Sequence, residues 1–135
     1  MKLDHVGIAV RSLEQALQFY RDTLGLPASG VETIAAEKVR VVMLPLGEAR
    51  LELLEGTAAD SPIAHFIEKR GEGIHHIALA VRQLDSYLRQ LERAGVRVLP
   101  GKGGYGASGH RYAFLHPSSC GGVLVELIEA PREGK

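Results

Sequence analysis

The fold is decided by two versions of one segment, "HVGIAVRSLEQAL" at 5–17 and "HIALAVRQLDSYL" at 76–88. Aligning His5 with His76 sets an offset of 71 residues (76 − 5 = 71), and most of the following positions then match in residue type. Self-similarity at a fixed spacing is the signature of an internally repeated fold. The chain is therefore predicted to consist of two tandem copies of one structural unit.

The ends of the two copies also resemble each other. "RLELLE" at 50–55 and "LVELIE" at 124–129 are both apolar strands with a central glutamate. Glu52 and Glu126 lie 74 residues apart (126 − 52 = 74), so the second copy carries a few additional residues. A duplication that extends over more than 50 residues predicts that both halves have the same order of secondary structure.

Each copy is predicted to have the order βαβββ. A short strand is followed by an amphipathic helix that ends at a glycine, Gly25 in the first copy and Gly95 in the second. Three further strands complete each copy. The predicted elements are a strand at 5–10, a helix at about 12–23 and strands around 27–32, 38–46 and 49–55, and then a strand at 76–81, a helix at about 84–94 and strands around 96–99, 110–116 and 122–129.

The whole chain, 1–135, is predicted to be a single α+β domain. The first βαβββ repeat covers about 3–56, a linker about 57–73 and the second repeat about 74–130. The linker is expected to hold a short helix at about 62–70, capped by Asp60 or Ser61, with Pro62 in the first turn.

The first strand of each copy has one bulky face and one small face. Side chains alternate across a strand, so His5 shares a face with Gly7 and Ala9, and His76 with two alanines. The aliphatic residues between them face the other way, towards the helices. A histidine followed by small residues suggests that the ring projects into a cavity.

The last strands carry one carboxylate each on the face opposite their leucines. A charge on an apolar strand is costly unless it is paired or bound to a metal. Imidazole and carboxylate ligands without thiolate suit a divalent transition metal that keeps open positions for water or substrate. Each residue alone is more often a structural polar group, but recurrence at matched positions favours a metal site. The candidate ligands are His5, Glu52, His76 and Glu126.

The other histidines are weaker candidates. His75 is expected to point away from His76, and Asp4 occupies its equivalent position in the first copy. His65 is expected on the surface of the linker helix. His110 and His116 border the penultimate strand, and neither has a repeat partner.

Composition excludes several classes of protein. Sixteen basic and sixteen acidic residues cancel, which argues against nucleic acid or an anionic membrane as a partner. The apolar runs are too short to span a bilayer, and the N-terminus does not resemble a signal peptide. Cys120 is the only cysteine, so an intrachain disulfide is excluded and a reducing cytoplasm is expected.

The sequence resembles the methylmalonyl-CoA epimerase family of the vicinal oxygen chelate superfamily. The segments that carry the resemblance span nearly the whole chain. These five segments are "DHVGIAV", "ALQFYRDTLGL", "LELLE", "DSPIAHFIEKRGEGIHHIALAV" and "FLHPSSCGGVLVELIE". The last two of them are the most specific to the family. The resemblance implies a curved, cup-like mixed sheet around a metal held by His5, Glu52, His76 and Glu126, commonly in a homodimer.

The activity implied by the resemblance is interconversion of (2R)- and (2S)-methylmalonyl-CoA, in propionate metabolism. A proton leaves and returns at C2 through a metal-stabilised enolate, and a base is needed on each face. The implied cofactor is one divalent ion, Co²⁺ first and Mn²⁺, Ni²⁺ or Zn²⁺ as alternatives. The implied substrate is a coenzyme A thioester.

Glu126 matches one of the two bases implied by the family. At the position of the second base this sequence departs from the family pattern, because Ala36 stands where the family often has glutamate. Glu37 is the predicted second base, provided that its segment is a loop or bulge, since a slip of one residue on a strand reverses the face. Glu48 is a weaker candidate in a turn.

Two alternatives remain open, and a third, the dioxygenase, is disfavoured. A glyoxalase-type lyase acting on a glutathione hemithioacetal would use the same ligands, although the linker segment favours the epimerase. A non-enzymatic small-molecule-binding protein of this fold would often lack a full ligand set, and a ring-cleaving dioxygenase would not need Glu52. The Gly-rich stretch 101–111 is expected to meet the substrate carboxylate or the coenzyme A arm, and Lys69, Lys102 and Arg111 are candidates for contacts with phosphate.

Overall fold

The computed structural model describes residues 1–100 and 111–130. The chain divides into two compact units. One is His5–His75, and the other joins Met1–Asp4 to the residues from His76 onward. None of the helices in these described ranges is long and apolar enough to cross a membrane.

The first βαβββ repeat has six elements, which are β1 Lys2–Ala9, α1 Leu13–Leu17, β2 Glu32–Ile34, β3 Val39–Leu46, β4 Ala49–Gly56 and α2 Pro62–Arg70. Its four strands lie in the order β2-β3-β4-β1. Strand β1 pairs with β4 in parallel, and the remaining pairs of the repeat are antiparallel. The helix α1 continues into a π-helical segment, Gln18–Thr23, and α2 follows the last strand.

The elements of the second repeat are β5 Gly73–Val81, α3 Leu84–Arg93, β6 Val98–Pro100, β7 Tyr112–Leu115 and β8 Val125–Glu129. Its connectivity is that of the first repeat, with strands in the order β5-β8-β7-β6. Its parallel pair is β5 with β8. The α+β class and the tandem βαβββ order are therefore confirmed.

Serine side chains cap the first two helices. Ser12 precedes α1 and its Oγ accepts a hydrogen bond from the Gln15 amide at 3.2 Å. Ser61, rather than Asp60, caps α2 by accepting from the Ala64 amide at 2.9 Å. These contacts satisfy amide groups that have no partner within their own helix.

The strand predicted at 27–32 is wrong, because β2 spans only Glu32–Ile34. The preceding residues lie beside β3 in an irregular conformation. The amide of Ser29 donates to the Met43 carbonyl at 2.8 Å, and the Met43 amide donates to Ser29 Oγ at 2.9 Å. A side-chain oxygen thus replaces a backbone carbonyl as the acceptor, and regular pairing begins only near the β-branched Thr33.

The two repeats differ at one hairpin tip. In the first, β3 and β4 stay paired as far as Leu46 and Ala49, leaving a two-residue turn with Gly47 at φ 60°. In the second, β7 ends at Leu115 and the chain makes a 3₁₀ turn, Pro117–Ser119, before β8 begins. The three additional residues of the second repeat, which change the offset from 71 to 74, therefore lie in this connection. The residues of the two strands that face each other below the tip are equivalent in both repeats.

Each repeat packs its helix against one face of its own strands. The first core cluster contains the apolar faces of α1, β3 and β4, and the second those of α3, β7 and β8. Burial of these aliphatic side chains provides the main driving force for folding. The buried members are Val10, Leu13, Leu17, Val42, Leu44 and Leu53 in the first repeat, and Val81, Leu84, Leu115 and Leu127 in the second.

An arginine on the helix-covered face links three elements in each repeat. Arg40 of β3 donates to Glu55 of β4 and to Glu14 of α1, both at 2.9 Å. Arg111, just before β7, pairs with Glu129 of β8 at 3.4 Å and with Asp85 of α3. We call these the two arginine clamps, Arg40 with Glu14 and Glu55, and Arg111 with Asp85 and Glu129.

The clamps predict an acid-sensitive contribution to stability. Hydrogen bonding from Arg40 lowers the pKa of Glu14 below its ordinary value of 4.5, and Arg111 lowers the pKa of Asp85 below 3.8. The unfolded chain therefore binds more protons than the folded one, so this contribution is complete above the ordinary pKa values and is lost as pH falls through the lowered ones. In urea unfolding between pH 7 and about pH 3, the double variant Arg40→Gln/Arg111→Gln should lose stability less steeply than the wild type. Parallel pH profiles would contradict this expectation.

Candidate metal centre

The two histidines at equivalent positions are both buried. The exposed fraction is 3% for His5 and 4% for His76. On β1 the side chains alternate, with His5, Gly7 and Ala9 buried and Val6 and Ile8 half-buried. The pattern on β5 is the same. The face that carries the histidines and the small residues is thus the more enclosed one, and its aliphatic neighbours turn towards the helices.

Strand pairing in the first repeat brings a glutamate to His5. The parallel register of β1 with β4 places Glu52 opposite Gly7, two residues beyond His5 and on the same face. Because Gly7 has no side chain, space remains beside the carboxylate. His5 Nε2 lies 3.3 Å from Glu52 Oε1, and Glu52 is only 5% exposed.

The second repeat builds the same pair. Ala78 lies opposite Glu126 in the parallel pairing of β5 with β8, and His76 Nε2 lies 3.1 Å from Glu126 Oε1. Phe114 faces Glu126 from the antiparallel neighbour β7, and its ring meets the His76 ring edge-on at 5.7 Å. An aromatic wall therefore restricts the orientation of His76 and keeps water from one side of it.

The position of Phe114 beside His76 was not predicted from the sequence, although the repeat spacing indicates it. The offset of 71 that aligns the histidines also aligns Phe114 with Met43 (114 − 43 = 71), and Met43 faces Glu52 in the first repeat. Both glutamates are therefore flanked by one small residue and one large apolar residue.

Each unit presents one buried histidine–glutamate pair, His5 with Glu52 and His76 with Glu126. All four of these predicted ligands are buried. That the four side chains bind one ion together stays a prediction.

The donor set fits a divalent cation. Burying carboxylates and imidazoles costs free energy unless their charge is compensated and their polar atoms are satisfied. Imidazoles and carboxylates offer nitrogen and oxygen ligands without thiolate, a set that suits Mn²⁺, Co²⁺, Ni²⁺ and Zn²⁺. The chemistry of the residues therefore agrees with a bound transition metal and leaves the choice among these ions open.

The remaining histidines in the described part of the chain have other surroundings. His75 is half-buried and meets the Phe66 ring of α2 edge-on at 5.0 Å. His65 is exposed on α2, as expected. His116 caps the turn after β7, where its Nδ1 accepts from the Ser118 amide at 3.0 Å. His110 lies outside the described residues.

Glu37 ends a 3₁₀ turn, Ala35–Glu37, between β2 and β3. This satisfies the condition that its segment be loop-like, since Glu37 is not part of a strand ladder. Lys38 follows in the left-handed region at φ 56° and ψ 47°, so the chain reverses locally before β3 begins. Glu48 lies in the exposed turn of the β3–β4 hairpin.

The candidates for phosphate contacts are only partly described. Lys102 and the Gly-rich stretch up to His110 lie outside the described residues. Arg111 is held in its clamp by two carboxylates, those of Asp85 and Glu129. Lys69 is exposed in the last turn of α2.

Comparisons with known proteins agree with this geometry. A sequence model described as the glyoxalase/bleomycin resistance protein/dioxygenase superfamily matches residues 4–114. The mitochondrial methylmalonyl-CoA epimerase of Mus musculus is 41% identical over 130 residues, which cover 96% of this chain and 73% of that protein. An ethylmalonyl-CoA/methylmalonyl-CoA epimerase of Cereibacter sphaeroides is 41% identical over 93% of this chain and 96% of its own length.

A solved structure supports the same relationship. A single-residue variant of the Streptomyces coelicolor methylmalonyl-CoA epimerase, in complex with 2-nitronate-propionyl-CoA, superposes with a TM-score of 0.91. It is 37% identical in sequence, and the match covers 98% of this chain and 99% of that one.

The metal site predicts different roles for two adjacent histidines. His76→Ala should lower the affinity for Co²⁺ by at least about 10-fold, because it removes a buried nitrogen ligand. His75→Ala, which removes a ring on the other side of the strand, should bind Co²⁺ like the wild type. Titration of metal-free protein, followed by the absorption of Co²⁺, measures both affinities, and circular dichroism verifies the fold. The reverse result would transfer the ligand role to His75.

Proposed function

This chain belongs to the glyoxalase/bleomycin resistance protein/dioxygenase superfamily and, within it, to the methylmalonyl-CoA epimerase family, and we propose that it interconverts (2R)- and (2S)-methylmalonyl-CoA. The observation that carries the proposal is the buried histidine–glutamate pair that recurs in both repeats, at 3.3 Å and 3.1 Å. A repeated buried pair of this kind is poorly explained by stability alone, since apolar side chains would fill such a space at lower cost. The two named epimerases with about 41% identity provide the independent support.

We assign metal binding to His5, Glu52, His76 and Glu126. When bound, a divalent ion supplies Lewis-acid stabilisation of negative charge on the thioester and carboxylate oxygens, which is worth several kcal/mol. Co²⁺ is our first candidate, with Mn²⁺, Ni²⁺ and Zn²⁺ as alternatives. In the second repeat, the chain itself orients the buried His76 ring through Phe114 and Glu126.

Epimerisation requires proton transfer on both faces of C2. One carboxylate removes the proton, and a carboxylic acid on the opposite face returns another, so the chain starts and ends each turnover with the same number of protons. We assign Glu126 to one face, because it is buried beside the site histidine and its Oε1 is 3.1 Å from His76 Nε2. Burial excludes water, which would otherwise compete for the proton.

Glu37 is our candidate for the other face. Its turn is anchored on the side of Lys38, whose carbonyl accepts from the Thr57 amide at 2.9 Å and whose ammonium pairs with Asp60. This double attachment fixes a left-handed residue directly after Glu37 and so restricts the direction of the carboxylate. The half-buried position of Glu37 suits a base that must also re-equilibrate its proton with solvent.

We extend the proposal to the surroundings of the enzyme. The substrate class is a coenzyme A thioester and the active form is a homodimer, as the family resemblance implies. The compartment is a reducing cytoplasm. The presence of a single cysteine in the sequence is compatible with that compartment.

Hydrogen exchange at C2 tests the reaction class. In D₂O, the metal-loaded protein should replace the C2 proton of methylmalonyl-CoA with deuterium, and NMR follows the loss of that signal. Chelation should abolish the exchange, and Co²⁺ or Mn²⁺ should restore it. The methylglyoxal–glutathione hemithioacetal serves as the control substrate, and turnover of this compound alone would establish a glyoxalase-type lyase instead. Ethylmalonyl-CoA, added as a third substrate, reports how much room the site leaves for a longer acyl group.

The second base is tested by a pair of glutamine variants. Glu37→Gln should lower the exchange rate by at least about 10²-fold, because it removes a proton-transfer group without changing size. Its affinity for Co²⁺ should stay at the wild-type value. Glu48→Gln is the matched control in the neighbouring turn and should retain activity. Wild-type turnover of Glu37→Gln would place the second base elsewhere.

A further inference from the structure

We propose that Arg40 and Arg111 are positioning residues for the metal ligands, each holding the strand that carries a ligand glutamate against the first turn of its helix. The proposal rests on the function proposed above, in which Glu52 and Glu126 bind the metal. It concerns residues on the helix-covered face of the strands, opposite to the face that carries the ligand glutamates. The two clamps are separate observations, one in each repeat.

The first clamp connects three elements through one guanidinium. Arg40 lies directly opposite Glu55 in the antiparallel pairing of β3 with β4, and its Nη1 donates to Glu55 Oε1 at 2.9 Å. Its Nη2 donates to Glu14 Oε2 at 2.9 Å. Glu14 is the second residue of α1. The planar fork of arginine can engage two carboxylates at once, whereas the ammonium group of lysine cannot reproduce that geometry.

The second clamp repeats each of these relations. Arg111 lies opposite Glu129, whose amide donates to the Arg111 carbonyl at 2.9 Å, and Asp85 is the second residue of α3. The sequence offsets agree, since 111 − 40 = 71 and 85 − 14 = 71, whereas 129 − 55 = 74. Arginine and the acidic character of both partners are therefore shared at equivalent positions, although Glu14 is replaced by the shorter Asp85.

The distance along the strand connects each clamp to a ligand. Glu55 follows Glu52 by three residues, and Glu129 follows Glu126 by three. Residues three apart on a strand point to opposite faces. Each clamp thus holds the helix-covered face of a strand. The opposite face of the same strand carries the ligand carboxylate. Twisting or sliding of this strand would displace the carboxylate, and the helix prevents that movement through the guanidinium.

Stability alone is a weak explanation for the clamps. The side chains of Glu14 and Asp85 are 68% and 57% exposed, and ion pairs with such exposed partners contribute little to the free energy of unfolding. Groups that hydrogen-bond to a metal ligand, by contrast, typically change metal affinity by about 10-fold or more when they are replaced. We expect an effect of that size from a group that holds the ligand's strand. A positional role accounts for the two-carboxylate arrangement in both repeats.

The test measures ligand geometry rather than activity. Arg40→Gln and Arg111→Gln are loaded with Co²⁺, and both the dissociation constant and the ligand-field absorption spectrum are compared with the wild type. We expect an affinity about 10-fold weaker and a changed spectrum in each variant. Arg40→Lys keeps the charge but not the fork, and should fall between the wild type and Arg40→Gln. Urea unfolding establishes that each variant is folded under the conditions of titration.

Arg21→Gln is the matched control. Arg21 forms an exposed pair with Asp22, at 2.7 Å and 3.2 Å, that is not attached to either ligand strand. This variant should keep the wild-type affinity and spectrum even if its stability falls. Glu14→Gln removes only the helix half of the first clamp and serves where Arg40→Gln does not fold. It should also weaken Co²⁺ binding.

The outcomes separate this inference from the proposed function. If the wild type binds Co²⁺ and the clamp variants match it in affinity and spectrum, the positioning role is overturned and the metal site stands. An effect of Arg21→Gln as large as that of Arg40→Gln would also overturn it, because loss of any surface ion pair would then suffice. If the wild type itself binds no Co²⁺, the metal-dependent function fails first.

Discussion

The parallel pairing of the first and last strands in each repeat is the constraint on which the site depends. This register places the glutamate beside a glycine or alanine, two positions after the histidine, so the imidazole and the carboxylate meet on one buried face. A shift of one residue would turn the carboxylate towards the helix and leave the histidine without its partner. The aliphatic clusters under the helices oppose such a shift, because it would also expose the leucines beside each glutamate. Hydrophobic packing on one face therefore maintains the geometry of polar groups on the other.

Much of this organisation could be predicted from patterns that a single sequence shows. The repeat is visible when the chain is aligned with itself at an offset of 71 residues. The alternation on the first strands and the capping signal before α2 depend on residues close together in the sequence. Together these patterns predicted the βαβββ order and α2. The strand expected at 27–32 failed because a hydrogen bond to the Ser29 side chain decides the local backbone, and apolar composition does not report such a contact. The register of β1 with β4 was likewise beyond a single sequence, since parallel strands pair through distant parts of the chain.

The candidate site shows the same division. Matched recurrence identified the histidines and glutamates, and the structure buries each histidine beside the glutamate of its own repeat. Phe114 and the arginine clamps were not identified, although they follow the same repeat spacing. They face the ligand strand from its antiparallel neighbour, so their relevance emerges only once cross-strand partners are known. Glu37 remains a proposal, because the family pattern and this sequence differ by one residue at that turn.

The hairpin between β7 and β8 shows how such a duplicated chain can diversify. Its tip carries three more residues than the equivalent tip between β3 and β4 (74 − 71 = 3), yet Phe114 still faces Glu126 as Met43 faces Glu52. Two antiparallel strands can therefore be joined by a longer connection while the same residues still face each other across the pair. Evolution can therefore lengthen or replace this loop, and a protein engineer can graft onto it, while the chemistry at the base of the strands is inherited unchanged.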